Sequence, residues 1–179
     1  MTQKLEEHMN SYFLNIITTG RNPHLDRIIE LTILDADGHV ILDTLVNPLA
    51  SISGVVVARH GITNGMVALS PTLDDLWPEI HGFLKGSRVI VPDADATRHF
   101  FPDGLNGAGE LICIRKRFIE RMQAGCGFFQ VSGQRWLEQA LAHAGHTHDS
   151  DSYRTLTTAE AMRLVWNWLE SNNRLHTAA

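Results

Sequence analysis

From Tyr12 to Ile17 the side chains are almost all apolar, and the run stops at Thr18-Thr19-Gly20-Arg21-Asn22-Pro23, a string of turn formers. A short apolar segment bounded in this way predicts a buried strand. Arg27 to Leu34 and Val40 to Val46 repeat the pattern on either side of Asp35-Ala36-Asp37-Gly38, whose Asp-Gly dipeptide predicts a hairpin. Three antiparallel strands at the front of the chain follow. Asn47-Pro48 ends the third, because proline cannot donate to a ladder and disfavours a helical residue before it.

Beyond a looped or short helical stretch to Leu69, the period changes. Ser70-Pro71-Thr72 reads as a helix start with Asp74 and Asp75 in the first turn. Leu73, Leu76, Ile80, Phe83 and Leu84 share one face of that helix, which stops near Gly86. Arg88 to Val91 predicts a short buried strand, Ala94 to Phe101 a short helix, Pro102 to Gly109 a glycine-rich loop, and Leu111 to Ile114 an edge strand. Helices are predicted over Arg115 to Met122, Gln134 to Ala144 and Thr157 to Glu170. In the last of these, Ala161, Leu164, Val165, Trp168 and Leu169 are assigned to the core, together with Trp136 from the helix before. Trp166 is left as an exposed contact. Strands first, then strands alternating with helices, predict an α/β sheet of mixed strand direction.

Composition narrows the function classes. A chain of 179 residues predicts one domain, with its core over about 12–170, and 44% hydrophobic with 20% charged residues is ordinary for a globular protein. A net charge of -5 argues against the broad cationic surface of a nucleic-acid coat protein, while leaving room for a local basic patch. Cys113 and Cys126 are too few for a disulfide framework and form no C-x-x-C pair. The opening MTQKLEEHMN has no signal-peptide core, and no apolar run approaches the ~20 residues of a membrane span. A cytoplasmic protein without a membrane partner is therefore expected.

Several short motifs occur in a distinctive order. Thr18-Thr19-Gly20 follows the first strand, Arg27-Ile28-Ile29-Glu30 opens the second, and Leu45-Val46-Asn47-Pro48 closes the third. His60-Gly61-Ile62-Thr63 comes next, with Met66-Val67 just beyond. In this order and spacing the chain resembles the DEDDh 3'-5' exonucleases, the family of the proofreading epsilon subunit of bacterial replicative polymerase and of ribonuclease T. The resemblance runs from about Tyr12 to Glu170. It implies an RNase H-like fold with a mixed five-stranded sheet, three antiparallel strands followed by parallel additions, flanked by helices.

The resemblance also implies two Mg2+ or Mn2+ ions about 4 Å apart, held by four carboxylates, with a histidine as general base. This chain departs from that pattern at every position. The Asp and Glu of the first motif fall on Asn15 and Ile17, and the aspartate of the second falls on Thr97 within Pro92-Asp93-Ala94-Asp95-Ala96-Thr97. The histidine and aspartate of the third fall on Tyr153 and Thr158. An amide brings no negative charge and isoleucine cannot coordinate, so neither ion is expected here and the ancestral chemistry is read as lost.

Other residues remain as candidates. Asp93 and Asp95, near His99 and Asp103, and Glu160 are oxygen donors that a displaced metal site could use, or caps and first-turn acids of helices. The run from His143 through His146, His148, Asp149 and Asp151 offers zinc or nickel ligand types, or a solvated loop. The resemblance places His60 beside a nucleotide; turn and packing are the alternative, and the same choice applies to Thr18 and Thr19. Arg115, Lys116, Arg117 and Arg121 form the one local basic cluster, either a phosphate-binding face or a solvated helix surface. The leading expectation is a catalytically inactive exonuclease-like domain that binds single-stranded DNA or RNA without hydrolysis. The alternatives are an assembly subunit of a protein complex, with a homodimer open, and a metal nuclease with relocated ligands.

Overall fold

The second strand is buried at every position from Ile28 to Leu34, so it must have neighbours on both edges and layers on both faces. The computed structural model describes residues 9–126, 135–147 and 154–176. It supplies both edges. The strands β1 (Ser11–Thr18), β2 (Ile28–Asp35), β3 (Val40–Leu45), β4 (Arg88–Val91) and β5 (Glu110–Cys113) form one sheet in the order β3-β2-β1-β4-β5. The first three are antiparallel, while β4 and β5 add in parallel on the far side of β1. In the β1–β2 register Asn15 lies opposite Thr32 and Ile17 opposite Glu30, so these four side chains share one face.

Seven helices are seen among the described residues: α1 (Gly54–His60), α2 (Asn64–Val67), α3 (Leu73–Leu84), α4 (Ala94–Arg98), α5 (Ile114–Cys126), α6 (Trp136–His143) and α7 (Thr155–His176). The helix after Ser70 begins with a capping box, in which Thr72 N–H donates to Asp75 and Asp75 N–H to the Thr72 hydroxyl. The Thr72 hydroxyl also donates to the Asp75 carboxylate, and this bond first, then that from Thr72 N–H, holds the Asp75 carboxyl below its ordinary value. The helix after β4 is shorter than its sequence suggests: Asp93 caps its start, and after Arg98 the chain goes over to turns in which Phe100 N–H donates to the Thr97 carbonyl and Phe101 N–H to that of Arg98. The last helix starts two residues earlier than the apolar pattern implies, at Thr155, and continues to His176.

Two layers sandwich the sheet. On one face Phe13, Leu34, Ile90 and Ile112 pack against α5, α6 and α7, with Phe118, Leu141, Met162 and Val165 at the centre. On the other, Leu14, Leu31, Ile33, Val89 and Val91 meet Ile80 and Leu84 of α3. A third apolar group gathers Ile17, Ile29, Ile52, Ile62 and Val67 at the end of the sheet where β1 terminates. No helix among the described residues is long and apolar enough to cross a membrane.

One assignment of the apolar pattern is reversed. Trp166 is 7% exposed and belongs to the main core, whereas Trp168 is only partly buried at its margin. Ala161, Met162, Leu164, Val165, Trp166, Trp168 and Leu169 cover so much of the helix circumference that periodicity alone does not decide which edge faces the sheet.

Candidate functional site

The end of β1 sets the geometry of the site. Thr18 donates its hydroxyl to the Gly20 carbonyl at 2.5 Å, and Thr19 donates to Asp26 at 3.0 Å while accepting Arg27 N–H at 3.0 Å. The other oxygen of Asp26 accepts Asn22 N–H at 2.8 Å, so one carboxylate staples the turn. Gly20 is required beneath it, since a Cβ there would lie 2.4 Å from that carboxylate. The Thr-Thr-Gly stretch is thus a built turn, in which the Thr19 hydroxyl is fully used.

Beside the turn, the face that carries Asn15 and Ile17 is closed by the start of α7. Asn15 donates to the Thr155 carbonyl at 3.4 Å, and the hydroxyls of Thr155 and Thr32 lie 2.7 Å apart. Thr32 also donates to Asp43 at 2.5 Å. Glu30, 2% exposed, accepts Thr155 N–H at 3.0 Å and forms an ion pair with Arg154. That hydrogen bond, helped by the Glu30 and Asp43 charges against some desolvation, raises the Arg154 pKa above its ordinary value. Ile17, opposite Glu30, turns into the third apolar group and is 7% exposed.

A cleft of about 500 Å³ opens between β1, α4 and α5. Asn15, Thr18, Arg21, Asp93, Thr97, Phe100, Arg115 and Trp136 are among its lining residues. Arg115 donates to Asp93 at 2.5 Å across the mouth, while the second Asp93 oxygen accepts Ala96 N–H at 3.1 Å and caps α4. Thr97 is 6% exposed and lines the cleft. A larger cleft of about 650 Å³, between the β1–β2 connection and Pro48, Leu49 and Phe100, contains none of the positions Asn15, Ile17, Thr97 and Thr158 and offers a less specific lead.

The structure brings Asn15, Thr18, Asp93, Thr97 and Arg115 to one cleft and disperses the other candidates. Thr158 lies outside it and donates its hydroxyl to the Arg154 carbonyl of its own helix at 3.3 Å. Tyr153, His148, Asp149 and Asp151 lie outside the described residues. His60 is the last residue of α1, followed by Gly61 at φ 72° and the fully buried Ile62, a helix stop with its hydrophobic anchor. The basic cluster does not act as one face: Lys116 lies 4.0 Å from Glu120, and Arg117 lies 4.0 Å from Glu170 with its guanidinium over the Trp166 ring. Arg121 is likewise absent from the cleft lining.

A relocated metal site does not assemble from Asp93, Asp95 and Glu160. Asp93 is committed to Arg115 and Ala96, Asp95 and Glu160 are exposed, and the three do not converge as ligands among the described residues. The lining of the cleft is an amide, hydroxyls, two guanidinium groups and one paired carboxylate, a donor set unsuited to two divalent cations. His143 ends α6 with its ring against Phe118 and Trp168, so the histidine run does not present it to a loop site.

Three features were missed by sequence reasoning. Arg21 and Trp136 join the cleft from distant segments, and Glu30 anchors α7; only Glu30, a charge inside an apolar strand, carried a signal. The single group of three potential ligands among the described residues, Asp35, Asp37 and His39, sits exposed on the β2–β3 turn. Its hydrogen bonds account for its geometry: Asp35 accepts the N–H groups of Asp37 and His39 and meets the His39 ring at 2.9 Å.

Comparison with known proteins gives the family and the fold. A family model of RNase T type, described as Exonuclease, matches residues 18–150. The uncharacterized exonuclease CP81 of Escherichia phage 186 is 39% identical over 160 residues, 80% of this chain and 79% of that protein. Exonuclease X, solved in complex with 5' overhanging duplex DNA, superposes with a TM-score of 0.61 at 21% identity, covering 91% of this chain and 93% of that one. The nuclease domain of 3'hExo, a DEDDh family member solved bound to rAMP, gives 0.69 at 15% identity over 93% and 94%. The solved structures establish the shared fold.

Proposed function

This chain belongs to the RNase T exonuclease family, and we propose that within it the domain binds nucleic-acid ends without cutting them. One observation carries this reading. The positions that hold metal in the resembling enzymes are Asn15, Ile17, Thr97 and Thr158, and Ile17 is built into an apolar cluster, while the neighbouring cleft stays open with Arg115 at its mouth. Without the ions, the transition state of phosphodiester hydrolysis loses its main electrostatic stabilisation, but a groove without four carboxylates also repels phosphate less. Arg115, Thr18, Asn15 and Thr97 are the contacts assigned to the strand. His60 and the remaining basic residues of α5 are not needed for it.

The test is fluorescence anisotropy of the purified protein with 3'-labelled single-stranded DNA and RNA, in Mg2+, in Mn2+ and in EDTA. DNA and RNA are both included because the structural neighbours were solved with either a DNA or a ribonucleotide. A stable complex of similar affinity in all three conditions, with the label retained on a full-length strand, is expected. Metal-dependent shortening that tracks the protein through purification would overturn the reading.

A second reading, an assembly subunit, is favoured by a different observation. Leu49, Val55 and Leu69 are 78%, 80% and 100% exposed, and α1 buries none of its residues fully. Light scattering after size exclusion tests it: a dimer whose mass is unchanged by oligonucleotide, together with no strand binding, would replace the first reading. A cytoplasmic location fits the free thiol of Cys113.

A further inference from the structure

We infer that the cleft recognises a phosphate monoester, carried by a strand end or by a free nucleotide, with Arg115 as its principal partner and Asp93 as the counterion that it displaces. The inference rests on the end-binding reading above and specifies the chemistry of the end.

The charges around the cleft point to an anion. Two arginines, Arg21 and Arg115, and one acidic residue, Asp93, line the cleft, and Arg115 pairs with Asp93. Arg21 has no ion-pair partner among the described residues, and the Arg115–Asp93 pair is well hydrated, with side chains 41% and 31% exposed. An ion pair this exposed contributes little and exchanges readily. Arg115 has five N–H donors, so a phosphate can meet it bidentately. Asp93 cannot follow Arg115 away, because its other oxygen caps α4 through Ala96 N–H. It therefore remains as a fixed competitor.

At the floor of the cleft the donors are neutral. Thr97 and Asn15 line it, and the Asn15 amide makes only a long bond of 3.4 Å to Thr155. Phe100 and Trp136 line the same space and give the sugar and base an apolar contact.

The rest of the surface explains why one terminal group is read rather than a run of diesters. The chain carries a net charge of -5, and Lys116 and Arg117 face Glu120 and Glu170. No continuous cationic track follows a backbone. A monoester is nearly dianionic at neutral pH, twice the charge of an internal phosphate, and so gains most from an isolated guanidinium pair. A terminal hydroxyl offers Arg115 no anion at all.

The test compares matched single-stranded oligonucleotides with a 3'-phosphate, a 5'-phosphate or hydroxyls at both ends, and nucleoside monophosphates, all titrated in EDTA against the full chain. One phosphorylated form should bind about tenfold more tightly than the hydroxyl strand. Its salt dependence should be shallow, with a slope of about -1 in log K against log salt. Arg115→Ala should remove that preference. Asp93→Asn, which preserves the α4 cap, should tighten the phosphorylated ligand several-fold and by more than it tightens the hydroxyl strand; melting curves check that both variants fold. If a nucleoside monophosphate matches the strand, the chemistry stands and the source is the free nucleotide. Equal affinity for phosphorylated and hydroxyl strands overturns the inference while leaving end binding intact, and binding of none of them overturns both.

Discussion

Arg154, the residue just before the last helix, ion-pairs with Glu30 in the middle of β2, across 124 positions of sequence. The partnership is lopsided, because the Glu30 side chain is 3% exposed and that of Arg154 45%. The carboxylate bears most of the desolvation, and Arg154 with Thr155 N–H is what compensates it.

Removing the two partners should therefore cost different amounts. Arg154→Ala strands a buried carboxylate with one remaining N–H donor and is expected to destabilise the fold by about 3 kcal/mol. Glu30→Gln keeps an acceptor for Thr155 and leaves a guanidinium that water can solvate, at about half that cost. Urea unfolding with unchanged m-values measures both. The reverse order would mean that Glu30 is held mainly by contacts other than Arg154.

Placing carboxylates at the positions of the family's first motif should not create a metal site here. Ile17 packs with Ile29, Ile52, Ile62 and Val67, so Ile17→Glu places an unpaired charge among branched aliphatics. Combined with Asn15→Asp, which points a carboxylate at the Thr155 carbonyl, it is expected to cost about 3 kcal/mol or more. Thermal melting should show that loss and no recovery with Mg2+ or Mn2+. A metal-dependent rise of several degrees would mean that the lost ligand geometry survives in the backbone.

The strands were legible because each is a short apolar run punctuated by Asp-Gly, Asn-Pro or Thr-Thr-Gly, signals carried by the chain locally. The departure from the carboxylate motif could be read locally for a similar reason: Asn15 and Ile17 keep a fixed spacing to Gly20 whatever the fold does elsewhere. The cleft could not. Arg115 meets Asp93 across 22 residues, and Trp136 and Arg21 reach the same space from segments still farther apart. Such meetings depend on how helices are set on the sheet, which no local pattern encodes. The basic run on α5 divides for the same reason, since residues adjacent in sequence point around the helix and meet separate partners in Asp93, Glu120 and Glu170.

The reversal of the two tryptophans of α7 yields a prediction of its own. Trp166 fills the main core and lies beneath the guanidinium groups of Arg117 and Arg88, at 5.1 and 5.8 Å from its ring centroid. Trp166→Ala should cost about 3–5 kcal/mol in chemical denaturation, through cavity formation and loss of both cation–π contacts. Trp168→Ala, at the margin, should cost clearly less. Equal losses would return the helix to the orientation that its apolar spacing suggests.

The β2–β3 turn should make stability depend on pH in a defined window. Gly38 takes φ 94° and lets the chain double back so that Asp35 meets the His39 ring. The hydrogen bond to Asp35, and then its charge, raise the His39 pKa above its ordinary 6.5. The slight burial of Asp35 pushes its carboxyl up, but the hydrogen bonds from His39 outweigh this and hold it below 3.8. The histidine contribution is complete below 6.5 and fades as pH rises through the raised folded value. The aspartate contribution is complete above 3.8 and fades as pH falls through the lowered folded value. The pair therefore stabilises most between 3.8 and 6.5. His39→Gln should lower Tm within that window and leave it almost unchanged at alkaline pH, where the wild-type imidazole is already neutral. A Tm difference that stays constant across the range would assign the effect of the substitution to turn geometry instead of charge.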